Sequence, residues 1–164
     1  MALARRSRKL RIGHSLAVLL PLLAAAPAAL PAATTERIVS DWHTGLAIGG
    51  FDPVAYFTDG EPVPGRPEFE LAYGGVIWRF RNDGNRAAFS ANPEVYAPQY
   101  GGYDPIGVTR GVARPGNPLL WNIVSDRLYL SYDAEAQAKF TAETDTTIAG
   151  ADARWPDVLR TLTP

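Results

Sequence analysis

The chain has 164 residues, a formal net charge of −1 and no cysteine. Apolar residues make up 46% and charged residues 20%, which suits one globular domain rather than a disordered chain. The missing cysteines exclude disulfides, thiol catalysis, zinc ribbons, iron–sulfur clusters and thiolate copper sites. The near-neutral total conceals a segregation of charge. Five of the sixteen basic residues, Arg5, Arg6, Arg8, Lys9 and Arg11, precede the first acid, Glu36. Positions 34–164 therefore hold the other eleven bases against all seventeen acids, a net −6. An acidic body is a poor candidate for binding nucleic acid, whose phosphates demand clustered Lys and Arg, and no nucleic-acid partner is expected.

Residues 1–33 read as a cleaved signal peptide. A basic opening leads into the apolar run Leu16–Leu23, and Ala26-Pro27-Ala28 or Ala32-Ala33 supplies small residues for cleavage. Pro21, Pro27 and the alanine-rich ends leave this stretch short of the roughly 20 strongly apolar residues of a membrane span. Arg5-Arg6 fits a twin-arginine signal poorly, and no cysteine follows for lipid attachment. The expectation is a periplasmic or secreted protein without a stable membrane anchor.

Residues 34–44 form a polar lead, and 45–164 form one α+β domain. Asp59-Gly60 to Pro67 is a surface loop rich in proline and glycine. Phe69, Leu71 and Tyr73, then Val76, Trp78 and Phe80, alternate on either side of Gly74-Gly75, which predicts a hairpin. A two-residue turn pairs Leu71 with Trp78 and Phe69 with Phe80. Asn82 or Asp83 caps a helix through Ala91, and Asn92-Pro93-Glu94 starts a second, short one. Tyr100 to Pro105 is a loop, and Gly107 to Gly111 is a candidate short strand. A second hairpin turns at Ser125-Asp126, pairing Ile123 with Leu128 and Trp121 with Leu130. Asp133 caps a helix through about Glu143, and Ile148, Ala151 and Trp155 recur at helical spacing before Pro156. The two hairpins are expected to build a small antiparallel sheet with short helices packed against it. No repeat of fixed period stands out.

The run Ile48-Gly49-Gly50-Phe51-Asp52-Pro53-Val54-Ala55-Tyr56-Phe57 resembles the opening of secreted bacterial YHS-domain proteins. The resemblance continues through Trp78-Arg79-Phe80, Asn85 to Phe89, Pro93 to Tyr103, Leu128 to Tyr132 and Ala149 to Trp155. It covers roughly residues 45–160 and implies a small α+β module. Better-studied members bind metals through cysteines, and here the chain departs from them. Asp52 stands where relatives carry Cys before Pro-Val, Arg81 where they read Phe-Cys-Ser, and Asp104 where they read Gly-Gly-Tyr-Cys-Ala.

The candidate site residues follow from this set. Asp52, Tyr56, Tyr103 and Asp104 are read as one ligand-binding face, with Tyr100 lining it. His43, the only histidine beyond the signal, is a candidate metal ligand with Asp52 and Asp104, a set suited to a hard or borderline divalent ion. Each Asp-Pro also has a purely structural reading, as a turn in which the carboxylate accepts nearby N–H groups. No catalytic residue is assigned, since a Ser-His-acid triad has only His43 to draw on and no nucleophile elbow is present. The leading expectation is a non-enzymatic binding module for a small ligand, a metal ion or a periplasmic protein. The alternatives are a degenerate structural or interaction domain and a carboxylate-based enzyme. Convergence of Asp52, Tyr56, Tyr103 and Asp104 on one concavity separates binding from structure.

Overall fold

The computed structural model describes residues 36–162. The expected signal segment and both cleavage sites lie outside the described residues. No helix among the described residues is long and apolar enough to cross a membrane. The elements run α1 (Ala55–Thr58), β1 (Arg66–Tyr73), β2 (Val76–Phe80), α2 (Asp83–Ala91), α3 (Pro93–Tyr96), α4 (Pro105–Thr109), β3 (Trp121–Val124), β4 (Arg127–Leu130), α5 (Ala134–Ala142) and α6 (Thr144–Thr161). The fold is α+β, with each hairpin forming its own two-stranded antiparallel ladder.

Local chemistry accounts for most of these elements. Leu71 pairs with Trp78 as expected, but Phe80 faces Arg66 and not Phe69. The register shifts between Arg66 and Glu70, in the stretch where Pro67 has no N–H to give the ladder. Phe69 and Leu71 still flank the same core as the buried Trp78 and Phe80. In the second hairpin Ile123 pairs with Leu128 and Trp121 with Leu130. Its turn residues Ser125 and Asp126 both have positive φ, 49° and 55°, the backbone of a type I′ turn. Asn82 and Asp133 cap α2 and α5 by accepting the N–H groups of Asn85 and Ala136.

Two expectations need correction. Gly107 to Gly111 is no strand, because Asp104 caps a helix there and Pro105 at its first position presets the helical φ. The chain also contains a repeat. Gly49-Gly50-Phe51-Asp52-Pro53 recurs as Gly101-Gly102-Tyr103-Asp104-Pro105, each run preceded by a residue of positive φ, Ile48 (43°) and Tyr100 (54°). A short helix, a hairpin and a capped nine-residue helix follow in both copies, about 50 residues apart. The backbone contacts repeat as well. Asp52 N–H donates to Val63 and Asp104 N–H to Arg114, while Gly65 N–H donates to Gly50 and Gly116 N–H to Gly102. Phe89 and Phe140, at equivalent helix positions, are both fully buried.

Each copy surrounds its own apolar cluster. Trp78, Phe80 and Phe89 centre the first, and Tyr103, Tyr129 and Phe140 the second. Strand β4 serves both, with Leu128 and Leu130 in the first cluster and Tyr129 in the second. The lead is drawn in too. Val39 is buried and donates its N–H to the Gly101 carbonyl at 2.8 Å, and Ser40 bridges to Ala47.

Asp126 holds a left-handed backbone that glycine adopts without strain. Asp126→Gly should therefore stabilise the fold by about 0.5–1 kcal/mol, read as a higher midpoint in urea. An unchanged or lower midpoint would show that the aspartate side chain offsets its own strain.

Candidate functional site

Asp52 is fully buried and fully engaged. Its Oδ1 accepts the N–H of Val54 at 2.9 Å and of Ala55 at 3.4 Å. Its Oδ2 accepts the Arg81 N–H at 2.8 Å and the Asn85 side-chain amide at 2.7 Å. The carboxylate thus ties the turn into α1 to the end of β2 and the first turn of α2. Arg81 turns its guanidinium to Asp59.

Asp104 is the equivalent residue of the second copy and is 1% exposed. Its Oδ2 accepts the Gly107 N–H at 2.8 Å; its Oδ1 is buried and has no partner at good hydrogen-bond geometry, although the Tyr132 and Ile106 N–H groups also lie toward the carboxylate. Burial raises its pKa above the ordinary 3.8, against the pull of the Gly107, Tyr132 and Ile106 N–H groups and the Arg114 charge.

The tyrosines are mostly structural. Tyr56 is buried and its hydroxyl donates to the Pro118 carbonyl at 2.9 Å. Burial, with the Asp52 charge nearby, raises its pKa. Tyr103 is fully buried and donates to the Glu36 carbonyl. Tyr100 donates to Asp152 Oδ1 at 2.8 Å, and burial together with that bond raises its pKa. His43 is exposed, with its ring against Trp42. Asp52 and Tyr56 belong with the first copy, Tyr103 and Asp104 with the second, and the cavity lined by Asp104 includes neither Asp52 nor Tyr56. Among the described residues no three His, Asp or Glu side chains are grouped to hold a metal, so His43, Asp52 and Asp104 are not assembled as a ligand set.

A larger concavity than the one at Asp104 lies elsewhere. A groove of about 450 Å³ runs between the second hairpin and α6, lined by Ser125, Arg127, Tyr129, Asp145 and Asp152 among others. Its volume lies within the usual range for small-molecule sites. Of the residues singled out in the sequence, Tyr100 alone reaches it, through its bond to Asp152. Arg127 donates to the Gln99 side chain at 3.1 Å and forms no ion pair with a described carboxylate. Tyr129 is 3% exposed, lines the groove, and has no hydrogen-bond partner for its hydroxyl among the described residues. Burial and the Asp152 charge raise its pKa, and Arg127 opposes them, so the phenol keeps its proton at neutral pH. The groove thus offers two carboxylates, a guanidinium and a phenol. The sequence signal for Tyr129 was its place between Leu128 and Leu130, where a strand turns a polar tip to the opposite face. No family model, curated protein or solved structure matches the chain.

Asn85→Ala should cost about 1.5–3 kcal/mol in urea denaturation, because it strips a donor from a buried carboxylate. A cost below about 0.5 kcal/mol would show that the Arg81 N–H alone satisfies that oxygen. The raised pKa of Asp104 has a defined sign. The folded chain holds this proton more tightly than the unfolded one, so the resulting stability is present at low pH and lost as pH rises through the raised value. Asp104→Asn should accordingly lose less stability than the parent protein as the pH rises from about 4 through the raised value. Parallel stability curves would contradict the raised value.

Proposed function

We propose that the chain is a secreted, periplasmic YHS-like binding module that holds a small zwitterionic or amine-bearing organic ligand in the groove beside Tyr129, with no chemistry done on it. The export-type opening and the run from Pro93 to Tyr103 support the cellular setting and the family. The Tyr129 hydroxyl carries the binding reading. The ring is buried while the hydroxyl lies at the groove with no described side chain bonded to it, so it can donate to or accept from a bound ligand. The flanking charges define the ligand. Asp145 and Asp152 suit an ammonium, and Arg127 suits a carboxylate in two-point contact. The catalytic reading has little to stand on, since no histidine lines the groove.

The purely structural alternative is favoured by one observation, the complete set of partners around Asp52. Thermal melts of the purified protein against a panel of amino acids and short amines separate the two. A bound member raises the melting temperature with its concentration. Arg127→Ala and Asp145→Ala, both at exposed positions, should abolish the shift, and Tyr129→Phe should weaken binding about tenfold. No shift from any member at millimolar concentration, or a shift that survives both substitutions, would favour the structural domain. Native mass spectrometry of protein taken from the periplasm without a His-tag tests the metal version of the reading in the same preparation.

A further inference from the structure

A second concavity adjoins the groove beside Tyr129. It holds about 360 Å³ and is lined by Glu94, Val95, Ser125, Asp126 and Arg127. Ser125 and Arg127 also line the groove, so the two hollows meet at the turn of the second hairpin. Val95, on α3, leaves an apolar side chain 39% exposed there. Glu94, Asp126, Asp145 and Asp152 form no ion pair with any described residue. Around the two hollows together, four carboxylates stand with one guanidinium, a net −3. A neutral zwitterion held in the groove leaves Glu94 and Asp126 unmatched, whereas a ligand with one further cation answers them.

We infer, building on the proposed reading of the groove, that its ligand is a basic amino acid of the lysine type, whose side chain enters the second hollow and brings its terminal cation to Glu94 and Asp126. The α-carboxylate then lies on Arg127 and the α-ammonium on Asp145 and Asp152. Tyr129 is 3% exposed, and its hydroxyl at the groove has no partner among the described residues, so it marks the end that takes the α groups. The second hollow offers an apolar side chain and two carboxylates, which is the chemistry that suits methylenes ending in an ammonium. Single ion pairs at exposed positions are weak, so the preference depends on both carboxylates acting together.

Titration calorimetry of the purified protein compares L-lysine, L-norleucine and L-glutamate. Norleucine keeps the α groups and the side-chain carbons of lysine and lacks the terminal cation, and glutamate ends in the opposite charge. Lysine should bind about tenfold more tightly than norleucine, and glutamate more weakly than either. Salt at about 0.5 M should narrow the advantage of lysine. Glu94→Gln combined with Asp126→Gly, which keeps the left-handed turn, should bring the lysine-to-norleucine ratio to about one. Should the pair fail to fold, Glu94→Gln alone should lower the ratio about threefold. Equal affinity for lysine and norleucine, or a preference for lysine that survives these substitutions, would overturn the inference and leave the reading of the groove standing. Lysine failing to bind while another amino acid or amine binds would do the same. No binding by any of them at millimolar concentration would remove the reading of the groove and the inference with it.

Discussion

Strand β4 is buried on both faces, and the rest of the architecture depends on that. Leu128 and Leu130 point into the cluster of the first copy, and Tyr129 points into that of the second. A two-stranded hairpin is marginal by itself in water, and here each face of one strand is covered by a different core. Burying each leucine contributes about 1.5–3 kcal/mol, and both leucines report to a cluster that their own repeat does not build. The first copy is therefore incomplete without a strand of the second. Tandem copies that merely followed one another would have separate stabilities. These two share a wall.

The copies have diverged in a consistent direction. The first is saturated, with Asp52 engaged at both oxygens and Phe80 fully buried in its core. At the place equivalent to Phe80 the second copy has Ser131, and the two buried side-chain atoms without partners among the described residues are Ser131 Oγ and Asp104 Oδ1. The groove beside Tyr129 lies between the second hairpin and α6, and the cavity at Asp104 is lined by the second copy. Polar atoms left unsatisfied in a buried place cost stability. A saturated partner sharing β4 is what lets the second copy carry that cost.

Local signals were legible in the sequence, and tertiary ones were not. Gly74-Gly75, Ser125-Asp126, Asn82 and Asp133 each act within a few residues, so both hairpins and both capped helices could be placed from composition and alternation. The same chemistry made Asp104-Pro105 a turn, although the helix that it starts was read as a strand. The repeat escaped because the loop before the second hairpin is one residue shorter, which breaks any constant period, and because Tyr56 and Trp78 are answered by Val108 and Tyr129. Only the Gly-Gly-aromatic-Asp-Pro runs stayed alike. The expected face of Asp52, Tyr56, Tyr103 and Asp104 failed to assemble for a related reason. Asp52 and Asp104 are counterparts in two copies, similar in role and separate in place, while Tyr56 packs in the first cluster and Tyr103 in the second. The groove draws on Arg127, Asp145 and Asp152, which no local pattern connects.

The amino-terminal lead acts as a strap across the repeat. The Glu36 carbonyl receives the Tyr103 hydroxyl, Val39 bonds the Gly101 carbonyl and Ser40 bridges to Ala47, so a few residues touch the glycine turns of both copies. Proteolytic trimming that stops before Glu36 leaves the strap whole. Trimming that passes Val39 would remove a buried side chain, unpair the turn at Tyr100 and uncover the edge of the first copy in one cut. The segment 36–40 thus holds the glycine turns of both copies at once, so its loss would act on the two copies together.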